Sequence, residues 1–149
     1  MEIREVMTES VVTALSDAPV RDVAELMRER NVGSVIVIDD GGGVVGFVTD
    51  RDIAVSVVAN GRPSDDPVSS HATAPVITGA PSLEVREAVE LMVANGVRRL
   101  PIVDAGKLTG IVTLDDLAMR IGDLELAASI TAQVTRAALP GFYFHTRDE

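Results

Sequence analysis

Val20-Arg21-Asp22-Val23-Ala24-Glu25-Leu26-Met27 returns as Val85-Arg86-Glu87-Ala88-Val89-Glu90-Leu91-Met92. Outward from that pair, Asn31-Val32 and an apolar run ending at Asp39 return as Gly96-Val97 and a run ending at Asp104. Gly46-Phe47-Val48-Thr49-Asp50-Arg51-Asp52-Ile53 returns as Gly110-Ile111-Val112-Thr113-Leu114-Asp115-Asp116-Leu117. The spacing is 65 residues as far as Asp39 and Asp104, and 64 from Gly46 and Gly110 onward. The glycine turn of the second copy is therefore one residue shorter. A repeat of this period defines the structural unit. Two copies predict two similar units about a pseudo-twofold axis, with two quasi-equivalent places for anything bound between them.

The chain has 149 residues, 46% of them hydrophobic, which is enough for one ordinary domain or two very small ones. A single repeat buries too small a share of its surface to be stable alone, so the copies are expected to share a core. There is no cysteine, which excludes disulfides, thiolate catalysis and cysteine zinc sites. No apolar stretch approaches a membrane span and the start has no signal-like segment, so a cytoplasmic location is expected. A net charge of −10 disfavours nucleic acid and anionic lipid as partners. Lys107 is the only lysine; the other cations are arginines, the better bidentate ligands for phosphate.

Catalysis finds little support. His71 and His145 are the only histidines, and neither has a companion in a recognisable string. No nucleophile-elbow serine and no phosphate-loop lysine is present, so no catalytic residue is expected. Asp39-Asp40 and Asp65-Asp66 read as solvated turn carboxylates rather than metal ligands, and no metal site is expected.

Within a repeat, residues 11–14 and 76–78 read as short strands. Ser16-Asp17-Ala18-Pro19 and Pro81-Ser82-Leu83-Glu84 carry helix-start signals. The following segments place Val20, Val23, Ala24, Met27 and Val85, Ala88, Val89, Met92 at helical spacing. Val35–Ile38 and Leu100–Val103 read as buried strands, each leading through a glycine-containing turn into a second strand. That strand ends at Thr49 or Thr113, where another helix starts. Residues 61–67 form a polar linker, and residues 123–138 read as an additional helix stopped by Pro140-Gly141.

Thr49-x-x-Asp52 and Thr113-x-x-Asp116 lie at these strand-to-helix junctions. One reading is a capping box, threonine at the N-cap and an acid three residues on. A functional reading is compatible with it: a helix start offers N–H groups to a phosphate, and a carboxylate there can accept both hydroxyls of a ribose.

In this order and in duplicate, these strings resemble a tandem pair of CBS domains, named after cystathionine β-synthase. The resemblance rests on Val97-Arg98-Arg99-Leu100-Pro101-Ile102-Val103-Asp104 and on the Gly-h-h-Thr-x-x-Asp string of both copies, and covers roughly residues 3–125. Ile36 stands where the second copy has Pro101, and Ala72 stands where the first has Met7. The resemblance implies an α/β (α+β) fold of two strand-helix-strand-strand-helix repeats, 1–62 and 63–125, followed by a helix and tail over 126–149. It implies regulation by an adenosine compound (AMP, ADP, ATP or S-adenosylmethionine) rather than catalysis. A ligand-free scaffold or stress-response protein is the alternative, and a client protein is unnamed in either case.

The resemblance also implies two clefts. One combines Thr49, Arg51 and Asp52 with Val97, Arg98 and Arg99, and is expected to take the phosphorylated ligand. The other combines Thr113, Asp115 and Asp116 with Val32, Gly33 and Ser34. A homodimer is expected, through helix faces bearing Val23, Met27, Val89 and Met92 or through the helices after Thr49 and Thr113. The rings of Phe142-Tyr143-Phe144 are expected to dock, on the partner subunit first or on the chain's own surface, with a contact for a client protein as the third option.

Overall fold

The computed structural model describes residues 1–122 and 124–138. The first repeat supplies β1 (Thr13–Leu15), α1 (Val20–Arg30), β2 (Ser34–Ile38), β3 (Val44–Thr49) and α2 (Asp50–Asp52). α2 runs on as a wider π turn over Ile53–Val58, where Ala59 N–H reaches back to Ala54 O at 3.0 Å. The second repeat supplies α3 (Val85–Asn95), β4 (Arg99–Asp104), β5 (Lys107–Thr113) and α4 (Leu114–Arg120). α5 (Leu124–Ala138) is the additional helix, with Ala127, Ile130 and Val134 buried at helical spacing. The fold is α+β, with a three-stranded sheet β1-β2-β3 and a two-stranded sheet β4-β5. The aromatic cluster at 142–144 lies outside the described residues.

The strand expected over 76–78 does not form, and proline accounts for it. In the first repeat β1 runs parallel to β2, and Ile36 N–H donates to Val12 O at 3.2 Å. The matched donor in the second repeat is Pro101, which has no N–H to give. A single parallel bridge between Gly79 and Ile102 remains, with Gly79 N–H on Pro101 O at 2.9 Å. The one-residue change in repeat spacing is visible too. Val37 pairs with Gly46 but Ile38 pairs with Val44, so Val45 is the extra residue of a bulge in β3. The shorter second turn uses Ala105 (φ 47°) and Gly106 (φ 78°), the left-handed pair of a tight hairpin.

The chain forms two compact units that cut across the repeats. One contains Met1–Glu9, Ile77–Ile102 and the chain from Gly110 onward; the other contains Ser10–Val76 and Val103–Thr109. Each repeat has therefore given its lead-in to the other. The hydrogen bonds that seat the two lead-ins match one another. In the first unit Val85 N–H donates to Met1 O (3.0 Å), Ile3 N–H to Leu83 O (2.8 Å), and Thr8 and Ile111 bond reciprocally (2.8 and 2.9 Å). In the second unit Val20 N–H donates to Asp66 O (3.0 Å), Val68 N–H to Ala18 O (2.8 Å), and Thr73 and Phe47 bond reciprocally (2.8 and 3.0 Å).

This exchange corrects two expectations. Each unit has its own core, and sharing between repeats takes the form of the traded lead-ins. Ile3 and Val6 are buried among Met92, Leu100 and Leu117 in one. Val68 is buried among Val23, Met27 and Val48 in the other. Burying a side chain such as Ile3 stabilises by roughly 1.5–3 kcal/mol. The start of α1 is not capped by Ser16 or Asp17 either. Its N-cap is Pro19, with no side-chain cap, and the carbonyls of Asp66 and Ser64 take the first amides. A further correction concerns assembly: Val23, Met27, Val89 and Met92 all face their own cores and cannot be dimer faces.

Gly46 and Gly110 are where the lead-ins cross the sheets. A Cβ on Gly46 would stand 2.9 Å from Ala72 Cβ. One on Gly110 would stand 2.7 Å from Met7 Sδ and 3.1 Å from Thr8 O. Only glycine admits backbone this close.

Candidate functional site

Each Thr-x-x-Asp string closes the end of a sheet. In the unit built on residues 10–76, β3 runs antiparallel to β2, so its last residue, Thr49, pairs with the first of β2, Ser34. Asp50 N–H donates to Gly33 O at 3.0 Å, and a Cβ on Gly33 would lie 3.3 Å from Asp50 Oδ2. Val32 packs on the core from the turn before. In the other unit Leu114 N–H donates to Arg98 O at 3.0 Å, and Val97 packs on that unit's core. The structure thus gathers Thr49, Asp52, Val32 and Gly33 at one sheet end. It gathers Thr113, Asp116, Val97, Arg98 and Arg99 at another.

Both strings are complete capping boxes. Thr49 N–H donates to Asp52 Oδ2 at 2.8 Å, and Asp52 N–H returns to Thr49 Oγ1 at 3.1 Å. Thr113 N–H donates to Asp116 Oδ2 at 2.9 Å, and Asp116 N–H returns to Thr113 Oγ1 at 3.1 Å. The Thr113 hydroxyl also donates to Asp116 Oδ2 at 2.7 Å. In each box a single carboxylate oxygen serves the cap. Oδ1 of Asp52 and of Asp116 has no hydrogen bond among the described residues. The half-buried carboxylates are thereby fixed in direction with one acceptor to spare.

The charges at the two ends differ. Arg51 occupies the position that Asp115 occupies in the second copy, and both are exposed. Arg98 and Arg99 are exposed and have no ion-pair partner among the described residues. Asp50, exposed, matches the buried Leu114.

One cluster was not anticipated. His71, 8% exposed, bridges Asp66 and Ser56: Nε2–H donates to Asp66 Oδ2 at 3.0 Å, and Nδ1 is hydrogen-bonded to the Ser56 hydroxyl at 2.8 Å. Arg62 holds the same oxygen from Nε (3.0 Å) and an η nitrogen (2.9 Å). The His71 hydrogen bond, and after it Arg62, keep the Asp66 carboxyl below the ordinary range against the opposing effect of burial. Asp66 is therefore not the plain solvated carboxylate expected. Ser56 sits inside the π turn rather than at a strand-to-helix elbow, so this trio ties the linker and lead-in to the helix. Partners five and fifteen residues from His71 leave no signature in the sequence.

Among the described residues no group of three or more His, Asp or Glu side chains could hold a metal ion. No helix there is long and apolar enough to cross a membrane. The family model for the CBS domain matches residues 3–59 and 68–123. This chain is a tandem pair of CBS domains. The CBS domain-containing protein YhcV of Bacillus subtilis is 36% identical over 89% of this chain and 94% of its own length. An uncharacterised conserved protein of Pyrococcus horikoshii, of known crystal structure, is 34% identical over 82% of this chain and 92% of its own, with a TM-score of 0.71. The CBS pair of protein MJ0100, solved with 5′-methylthioadenosine and S-adenosyl-L-methionine, shares the fold at 24% identity. It covers 82% of this chain and 96% of its own, with a TM-score of 0.71.

Proposed function

We propose that this CBS pair is a non-catalytic regulatory module that senses an adenosine compound, whether AMP, ADP, ATP or S-adenosylmethionine, on behalf of a separate client protein. The observation that carries the reading is the duplicated capping box, with a fixed carboxylate whose second oxygen is uncommitted. In this reading Asp52 and Asp116 accept ribose hydroxyls through Oδ1, while Thr49 and Thr113 hold them in place. Val32 and Gly33 at one sheet end, and Val97 at the other, provide the apolar edge for adenine. Arg51 at one sheet end, and Arg98 and Arg99 at the other, each offer a guanidinium to a phosphate, where charge-assisted bonds contribute about 1.5–3 kcal/mol each. The ligands of the MJ0100 pair are of the same chemical class, which supports an adenosine rather than another nucleoside.

The module is further proposed to act as a cytoplasmic homodimer. The helices after the two strings support this. Val55 and Met119, at matched positions, are 51% and 85% exposed, an unusual outlay of apolar surface for helix residues.

Melting with and without ligand tests the reading, since a ligand bound to the native state must stabilise it. At a hundredfold excess over Kd, AMP is expected to raise Tm by about 5–10 °C. Asp52→Ala should abolish that shift, measured from the variant's own Tm, and Asp116→Ala should leave it. Arg51 beside Asp52 attracts a phosphate, whereas Asp115 beside Asp116 opposes the attraction that Arg98 and Arg99 exert there. If no adenosine compound moves Tm, the sensor reading fails and the scaffold reading takes its place. Loss of the shift only in Asp116→Ala would reverse the assignment.

A further inference from the structure

β1 is the edge of its sheet, since it pairs with β2 alone. Val12 O accepts from Ile36 N–H, and Ser16 N–H donates to Ile38 O, so the even-numbered residues of this stretch turn their backbone groups toward β2. Those groups alternate along a strand, which turns Thr13 and Leu15 the other way. Leu15 O accepts from Ala18 N–H at 3.0 Å. Thr13 N–H, Thr13 O and Leu15 N–H have no partner among the described residues.

A groove of about 270 Å³ lies beside this edge. Thr13 and Ala14 both line it, and successive side chains of a strand point to opposite faces, so the groove follows the edge rather than one face. Leu26 of α1 also lines it and packs on the core, while Asp22, Glu25 and Glu29 line it from the same helix. Arg21 Nε stands 3.5 Å from Asp22 Oδ1. Glu25 and Glu29 are exposed and have no ion-pair partner among the described residues.

Glu25 and Glu29 are separated by about 6 Å of helix. Alternate residues of an extended chain lie about 6.6 Å apart on one face. Two cations separated by one residue therefore meet the two glutamates in turn. Ala14 packs on the core, so Leu15, 46% exposed, stands on the opposite face. The residue between the cations points to that face and finds an apolar neighbour there.

We infer that β1 accepts an extended segment of a client protein as a fourth strand, and that the segment carries arginine or lysine on either side of an apolar residue. The inference rests on the client role proposed above and not on the adenosine ligand. A second copy of the chain fits poorly: joining two β1 edges brings the glutamates of both α1 helices together, on chains that each carry −10.

The probe is an end-blocked, fluorescent heptapeptide with lysine-valine-arginine at its centre, titrated by anisotropy onto the full chain without nucleotide. Saturable binding is expected. Glu25→Lys with Glu29→Lys should weaken it by about tenfold or more, through lost pairing and new repulsion. Thr13→Pro removes an N–H that faces away from β2, so it should abolish binding and leave Tm within about 2 °C of the parent. Two peptides N-methylated on alternate amides test the same point with the parent protein. One should lose about tenfold in affinity and the other should bind as before, because only alternate amides face the neighbouring strand. No binding, equal loss from both methylated peptides, or parent-like binding by either protein variant overturns the proposal. None of these outcomes bears on the AMP melting shift, so the two readings fail separately.

Discussion

α3 and α1 are the same helix written twice, yet their outer faces differ. α3 carries Val89, buried in the same cluster as Ile130 and Val134 of α5, and next to it the half-buried Val93. α1 carries Ala24 and Arg28 at the matched positions, both exposed. The copy that gained a covering helix kept apolar residues beneath it, and the copy without one presents a short or charged side chain to water. The helices after the strings differ in the same sense. α4 is a regular helix with Leu114 and Leu117 buried, whereas its counterpart is a single α turn widened into a π turn. Duplication supplied the plan, and each copy was then closed by different means.

The largest test of that contrast removes the closure. Ile130→Ala should cost about 2–5 kcal/mol, because a buried isoleucine leaves a cavity the helix pair cannot refill. Val58→Ala, at a 73% exposed site in the other unit, should stay within about 0.5 kcal/mol of the parent. Urea unfolding measures both. Comparable losses would mean that α5 does not distinguish the two units.

The lead-in crossings give a second, sharper comparison. Gly46→Ala and Gly110→Ala should each cost about 1–3 kcal/mol by overpacking. Their rescues should differ. Ala72→Gly removes the atom that a Cβ at 46 meets, and should recover most of the loss. Met7→Ala frees only the side chain facing position 110 and leaves Thr8 O at 3.1 Å, so its rescue should be partial. Equal rescue in both double-mutant cycles would show that the two crossings are equivalent after all.

The smallest effect is in acid. Residue 66 matches residue 1 across the exchange, and only position 66 offers a side-chain carboxylate. Its pKa in the folded state is depressed, so its contribution is complete above the unfolded value and is lost as pH falls through the folded one. The loss belongs to the range from about 3.8 downward. Asp66→Asn should flatten the acid-side decline of Tm there. Parallel profiles for parent and variant would remove Asp66 from the account.

Much of this was legible in the sequence because it is periodic. The repeat gave the element order, the turn difference and the two capping boxes, since Thr-x-x-Asp encodes its own hydrogen bonds. The position of Pro101 was legible as well, but its effect required knowing that Ile36 donates to Val12. The lead-in exchange was not legible. It is made by backbone N–H and carbonyl groups that every residue carries, between residues such as Ile3 and Leu83 with nothing distinctive about their pairing. Ala72 in place of Met7 was its faint trace, for both face a glycine from the other repeat. The His71 cluster was hidden for a similar reason, being assembled by the fold of the linker.

The traded lead-ins also set an order in time. Thr8 emerges from the ribosome 103 residues ahead of Ile111, its hydrogen-bond partner. At roughly 5–20 residues per second, that separation is about 5–20 s. Through that interval Ile3 and Val6 have no core to enter, while Val68 reaches waiting partners as soon as it is made. The unit built on residues 10–76 thus lacks only the hairpin tip at 103–109 while residues 1–9 still wait. Pairings so distant in sequence are slow to find. A nascent chain stalled before residue 111 would expose the segment 1–9 to chaperones and proteases while the Phe47–Thr73 bridge is already closed.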